Sequence, residues 1–195
     1  MTTAASTIQA QRTPGAADER LIRQCLNGDP QAWAALIDKY KNLIYSIPIK
    51  LGMYQEAADV FQAVCVDLLS ELPQLRDHRA LPKWLIQTCY HKCLHHQRAE
   101  GRQVQLEPSA TEAQESPEML PEELLVQLQK EQTLRDTISE MPARCRQLIH
   151  MLFFEIPARP YEEIAQELGL ATGSIGFIRG RCLARLRKHL EKKGF

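Results

Sequence analysis

Apolar residues recur at three- and four-residue intervals from Leu21 to Leu190, a spacing that predicts helices through most of the chain. No stretch alternates with a period of two, so the expected fold class is all-α. A first helix should start at Asp18, an N-cap candidate, carry Leu21, Ile22, Cys25 and Leu26, and stop at Gly28. Asp29-Pro30 offers a second cap, with proline at the first helical position. The segment after it sets Trp33, Leu36, Ile37, Tyr40, Leu43, Ile44 and Ile47 on one face. Pro48 should kink or end that helix, because it lacks an N–H and clashes with the preceding turn. A third helix over 55–72 places Ala58, Phe61, Val64, Cys65, Leu68 and Leu72 along one stripe, and a fourth runs from Leu81-Pro82 to Arg98.

Periodicity then lapses. Residues 99–123 hold Pro108, Pro117 and Pro121 among many glutamates, the composition of an extended linker. It returns at Glu122, with ELLVQLQKEQTLRDTISEM, MPARCRQLIHMLFFEI, PYEEIAQELGL and a final segment ending at Leu190. The expected organisation is a polar, disordered tail at 1–17, a helical bundle at 18–98, an acidic flexible linker at 99–123 and a second helical domain at 124–195.

The net charge of zero averages two opposed blocks. Residues 100–123 hold seven acids and one base, whereas 179–193 hold seven bases and one acid. Such a basic block suits a polyanion. The N-terminal stretch lacks the apolar core of a secretory signal and no run is long enough to span a bilayer, so a cytosolic protein without membrane insertion is expected. In that setting the six cysteines should be reduced, buried thiols.

From Tyr161 the chain fits a helix-turn-helix. YEEIAQELG turns Ile164, Ala165 and Leu168 inward, with Ala165 small where two helices cross. Gly169 suits a left-handed turn. Thr172 or Ser174 can cap the next helix, and Ile175 supplies its core anchor. A corner of this kind lays its second helix in the DNA major groove. The alternative, an ordinary helical hairpin, fits the arginines less well. Arg179, Arg181, Arg185, Arg187 and Lys188 crowd one helix, and such cations neutralise phosphates.

Four motifs in order make the chain resemble bacterial RNA polymerase sigma factors of the extracytoplasmic-function (ECF) class. MPARCRQLIHMLFF resembles the opening of the family's region 4, and YEEIAQELGLATGSIGFIRGRCLARLRKHL its helix-turn-helix. DVFQAVCVDLL and LPKWLIQTCYHKCLHHQR resemble two region 2 helices. The resemblance covers 18–98 and 124–190. It implies that region 2 binds core polymerase and the −10 element, and that region 4 reads the −35 element as duplex.

Carried onto this chain, the resemblance assigns core binding to Asp59, Gln62 and Asp67, facing a coiled coil of the largest polymerase subunit. Contact with −10 falls to Arg76, His78, Arg79, Lys83, Gln87, Tyr90, His91 and Lys92, with Trp84 in the core. Contact with −35 falls to Thr172, Ser174, Phe177, Arg179, Arg181 and Arg185. The helix 144–154, with Leu148 and Leu152, should form core and part of a groove for the polymerase flap. An anti-sigma protein covering both domains is a further expected partner. His91 and His95 depart from the asparagine and aspartate of many members, and Phe177 from their proline.

Cys89, Cys93 and His96 share one side of a helix and invite a zinc reading. Relatives carry small apolar core residues at both cysteine positions, which favours thiols without metal. No nucleotide-binding or hydrolase motif occurs, so neither an enzyme nor a cofactor is expected. The rival function is a helix-turn-helix regulator whose N-terminal bundle is an interaction module.

Overall fold

A computed structural model of the chain describes residues 16–104 and 120–195. They fold into α-helices joined by short turns, some of them 3-10, and no strand occurs among the described residues. The all-α class read from periodicity is the observed one. The chain forms two compact units, one ending at Leu128 and the other beginning at Gln129. The expected tail up to residue 15 and the linker residues 105–119 lie outside the described residues.

In the first unit, α1 (Ala16–Leu26), α2 (Pro30–Lys50), α3 (Ala57–Glu71) and α4 (Leu81–Val104) enclose one core. Ile22, Leu36, Tyr40, Leu43, Val64, Leu68, Leu85 and Ile86 are among its buried side chains. Gly28, at φ 82°, ends α1 in the left-handed region where glycine alone is unstrained. Asp29 then caps α2, its carboxylate accepting the Gln31 N–H at 2.9 Å.

Asp18 does not cap α1 as its sequence position suggested. The helix starts earlier, and the Asp18 carboxylate instead binds Lys39 and accepts the Tyr40 hydroxyl, both from α2. The stripe on α3 is also rotated from the expected one. Ala58 is exposed, whereas Ala57, Val60, Val64 and Leu68 are buried. Phe61 sits half-buried and stacks on Tyr45 with ring centroids 4.6 Å apart. The fourth helix passes Arg98 and reaches Val104, since no proline interrupts that stretch.

Pro48 neither ends nor breaks α2, which continues to Lys50. It does orphan one acceptor. A proline has no N–H to give the carbonyl four residues earlier, here that of Ile44. The Cys89 thiol of α4 donates to that carbonyl at 3.4 Å. Hydrogen bonding with Cys93 and then burial push the Cys89 thiol far above its ordinary value, so it remains a donor. Cys89→Ala should cost about 1 kcal/mol by leaving a buried carbonyl unpaired. The loss should shrink when Pro48→Ala restores an N–H, an interaction that a double-mutant cycle of denaturant melts reads directly.

The fifth helix, α5 (Glu122–Ser139), begins in the first unit, where Leu124, Leu125 and Leu128 join that core. The second unit continues with α6 (Ala143–Phe153), α7 (Tyr161–Leu168) and α8 (Ile175–Glu191). Met141, Leu148, Ile149, Ile164, Ala165, Ile175 and Leu186 form its small core. Arg144 donates to the Leu168 carbonyl at 3.2 Å, a cation at the end of α7 where the helix dipole favours one.

One cysteine expectation is overturned. Cys145 on α6 and Cys182 on α8 are joined in a disulfide, rather than standing as separate reduced thiols. Their Cα atoms lie 5.4 Å apart, well inside bridging range. Sequence spacing gave no sign of this, because the two meet only after α6 packs against α8. Cys25, Cys65, Cys89 and Cys93 are free.

Candidate nucleic-acid and polymerase interface

The turn between α7 and α8 follows from Gly169, whose φ of 61° reverses the chain. The Leu170 N–H returns to the Ala165 carbonyl at 2.8 Å and closes α7. Ile175 then enters the core fully buried, fixing the start of α8. Residues Thr172–Ser174 form one 3-10 turn that runs straight into the helix. Neither residue caps α8, contrary to expectation. The Ser174 hydroxyl donates back to the Ala171 carbonyl at 2.6 Å, and the first amides of α8 have no side-chain cap.

The six residues proposed for duplex contact cluster on this corner and the following turns. Thr172, Phe177, Arg179, Arg181 and Arg185 are exposed, and Ser174 is half-buried. Two of the arginines are held by aromatic neighbours. Arg179 donates to the Tyr161 hydroxyl at 2.6 Å while its guanidinium lies 6.0 Å from that ring's centroid. Arg181 lies 5.7 Å from the Phe177 ring, which is itself 69% exposed. Such contacts restrain a long side chain without neutralising it. Tyr161 was missed from sequence because it sits a whole helix away from its partner.

Gly173, Gly176 and Gly180 need no small side chain for the fold: a Cβ at any of them meets nothing within 4 Å. Gly176→Ala and Gly180→Ala should therefore each stabilise the free protein, by up to about 1 kcal/mol. If backbone and DNA approach closely there, duplex affinity falls in the same variants. Thermal melts beside DNA titrations separate the two effects; higher stability with unchanged affinity removes close approach as the reason for these glycines.

The residues assigned to −10 divide. Arg76, Lys83, Gln87 and His91 are exposed, and His78 is half-buried. Lys83, Gln87 and His91 follow one another at four-residue steps along α4, so they share a face. Arg79 is exposed but already engaged. Its side chain meets Asp77 at 3.0 Å, holding that carboxyl below its usual range by hydrogen bonding. Tyr90 does not join the exposed set, being only 7% exposed, with its ring 6.3 Å from that of His91. Lys92 pairs with Asp67 of α3 at 2.8 Å, so two residues assigned to different partners bind each other. Trp84 packs half-buried on the core.

On α3, Asp59 and Gln62 are exposed and Asp67 is half-buried. Val66 and Leu69 stand beside the first two, 64% and 57% exposed. Asp59, Gln62, Val66 and Leu69 follow at helical spacing and form one face, polar at its start and apolar at its end. Their i, i+3, i+7, i+10 spacing was visible in the sequence; their exposure was not, since it depends on which stripe α4 buries. On α6, Leu148 is buried and Leu152 half-buried, with Phe153, Phe154 and Ile156 exposed beyond them.

Among the described residues no three histidine, cysteine or acidic side chains come together to hold a metal ion. Cys89 and Cys93 are fully buried, and the Cys89 thiol is committed to Ile44. No helix among the described residues is long and apolar enough to cross a membrane.

No family model matches the chain. It is 25% identical over 187 residues to the RNA polymerase sigma-H factor of Pseudomonas aeruginosa, covering 90% of this chain and 92% of that protein. This chain is similar to bacterial sigma factors. Identity is again 25% with the ECF RNA polymerase sigma factor SigD of Mycobacterium tuberculosis, over 96% of this chain and 88% of that one. SigW of Bacillus subtilis, another ECF RNA polymerase sigma factor, gives 25% over 89% of this chain and 96% of its own. The similarity spans both units in each case, beyond any single helix-turn-helix.

Proposed function

We propose that this chain is an RNA polymerase sigma factor of the ECF class that directs promoter-specific initiation and carries out no catalysis of its own. The observation that carries the reading is the near full-length similarity to named sigma factors together with the arginines exposed along α8. A stand-alone regulator would need only the second of these.

On this reading the α3 face of Asp59, Gln62, Val66 and Leu69 docks on the polymerase coiled coil. Its carboxylate meets a basic surface, and its apolar end buries against the partner. The exposed face of α4, with Arg76 and His78 before it, meets the −10 element. Capture of an unstacked base there needs cations for the backbone and polar or ring groups for the base. Lys83, Gln87 and His91 supply both. The α7–α8 corner reads the −35 element: Arg179, Arg181 and Arg185 reach phosphates or base edges, and the uncapped amides of α8 offer an anion site at its N-terminus. An anti-sigma protein would silence the factor by covering the α3 and α8 faces.

Purified core RNA polymerase tests the first step. The chain should co-migrate with core enzyme on a native gel and be displaced by an authentic sigma factor. Failure to form any complex would leave the rival reading, a DNA-binding regulator whose N-terminal bundle serves another partner.

A further inference from the structure

The disulfide between Cys145 and Cys182 closes across 37 residues and ties α6 to α8 in the middle of the arginine array. Cys182 follows Arg181 directly and stands one helical turn before Arg185. A cleft of about 360 Å³ is lined by both cysteines together with Ile178, Arg181, Ala184 and Arg185. Cys182 is buried whereas Cys145 is half-buried, so Cys145 is the more accessible of the two residues. Disulfides in a reducing compartment, where a transcription factor works, are transient and redox-sensing rather than structural.

We propose that Cys145–Cys182 is a thiol–disulfide exchange site for an anionic low-molecular-weight thiol, and that the bond sets the DNA affinity of α8. The second half of this inference rests on the proposed DNA-binding function. An incoming thiolate attacks the Cys145 sulfur, the bond to Cys182 breaks, and the Cys182 thiolate leaves and takes a proton. A second thiolate attacks the mixed disulfide, releases the small-molecule disulfide and frees Cys145 as a thiol. Two small thiols are oxidised to one disulfide while one protein disulfide is reduced to two thiols. Oxidation by a small-molecule disulfide runs the same steps backwards.

Arg181 and Arg185 give the cleft its preference. Their charge concentrates an anionic thiol and favours the thiolate forms of attacker and leaving group. The effect on DNA follows from where the bond sits. Oxidised, it pins the central turn of α8 to α6 and fixes the angle at which Arg179, Arg181 and Arg185 are presented. Reduced, α8 loses its covalent tie to α6 and is held by Ile175, Leu186 and their apolar neighbours, with the Arg179 hydrogen bond to Tyr161 of α7. The oxidised form is the tighter binder.

The full chain, treated with oxidised glutathione and denatured, should take up four alkyl groups, matching the four free cysteines. After reduction it should take up six, the full cysteine content. Glutathione should reduce the bond about tenfold faster than the cationic thiol cysteamine at matched thiolate concentration. Arg181→Gln with Arg185→Gln should erase that preference. Reduction should weaken binding to duplexes selected from a random-sequence pool about fivefold or more. Cys145→Ser, with Cys182→Ala as a second variant, should hold the reduced affinity under either condition. Six alkyl groups after oxidation, equal rates with the two thiols, or equal affinities in a chain that does bind DNA would each overturn the proposal. A chain that binds no duplex in either state fails the proposed function instead, and the alkylation count and the two rates still decide the exchange site.

Discussion

Leu69→Asp is expected to weaken binding to core RNA polymerase by about thirtyfold or more, the loss typical of a central apolar contact replaced at an interface. The same change should alter the stability of the free protein by only about 0.5 kcal/mol, because Leu69 already faces water. Val66→Asp, one turn earlier on the same face, should behave alike. An aspartate there removes the apolar burial that this end of the face would give against the partner, and its charge must be desolvated on docking. Titration of core enzyme on native gels, beside a thermal melt of each variant, reads both quantities. A variant that melts normally and binds normally would move the docking surface away from α3. A variant that melts early says nothing about docking, and Gln62→Ala then serves as the milder probe of the same face.

Ile175→Ala should have the largest effect on stability, about 2–5 kcal/mol, because it opens a cavity at the joint of the helix-turn-helix. The second unit has little to offset such a loss. Its core is small, and Ile175 is one of its few fully buried side chains. The expected outcome is selective: the second unit melts early and duplex binding disappears, while the first unit keeps its core and its hold on polymerase. Phe177→Ala, two residues along and exposed, should leave the melt within about 0.5 kcal/mol of the parent. Any loss of duplex binding by Phe177→Ala therefore reports contact rather than folding. Circular dichroism melts of both variants, with tryptophan fluorescence following the first unit through Trp33 and Trp84, check the contrast. Equal losses in the two variants would contradict this account of the corner.

What periodicity revealed was the existence of the helices and most of their buried stripes. Ile164, Ala165 and Ile175 were assigned inward from spacing alone and are buried. Gly28 and Gly169 were read as stops, and both take positive φ. These features are local, set by one helix and its ends. Most of the departures share a different physics: they involve a partner brought by another helix. Asp18 was assigned to its own helix terminus but is claimed by Lys39 and Tyr40 of α2. Lys92 looked like a free cation and is paired with Asp67. Tyr90 carries a polar tip that suggested a surface, yet its ring is buried. Ala58 and Val60 exchange roles because an alanine is tolerated on either face, so periodicity weighs it weakly. Pro48 was read as a kink or an end; α2 does not end there but runs on to Lys50, with a thiol from α4 serving the orphaned carbonyl. The disulfide between Cys145 and Cys182 belongs to the same class of error, since pairing depends on helix packing that spacing does not encode.

Of the residues proposed for DNA, those on α8 were the ones whose exposure the sequence signalled most clearly. Arginines clustered on one helix are a signal of composition as well as of geometry, and Arg179, Arg181 and Arg185 are all exposed. The face proposed for polymerase was half legible: its exposed Asp59 and Gln62 were singled out from sequence, and its exposed apolar residues Val66 and Leu69 were not.

The central claim is that this chain confers promoter specificity on core RNA polymerase. Run-off transcription with reconstituted holoenzyme, on duplexes selected from a random pool by that holoenzyme, tests it most directly. Transcripts of defined length that require the chain, and that are lost with Arg181→Ala combined with Arg185→Ala or with Leu69→Asp, are the predicted result. Core enzyme that gives the same transcripts with and without the chain would contradict it.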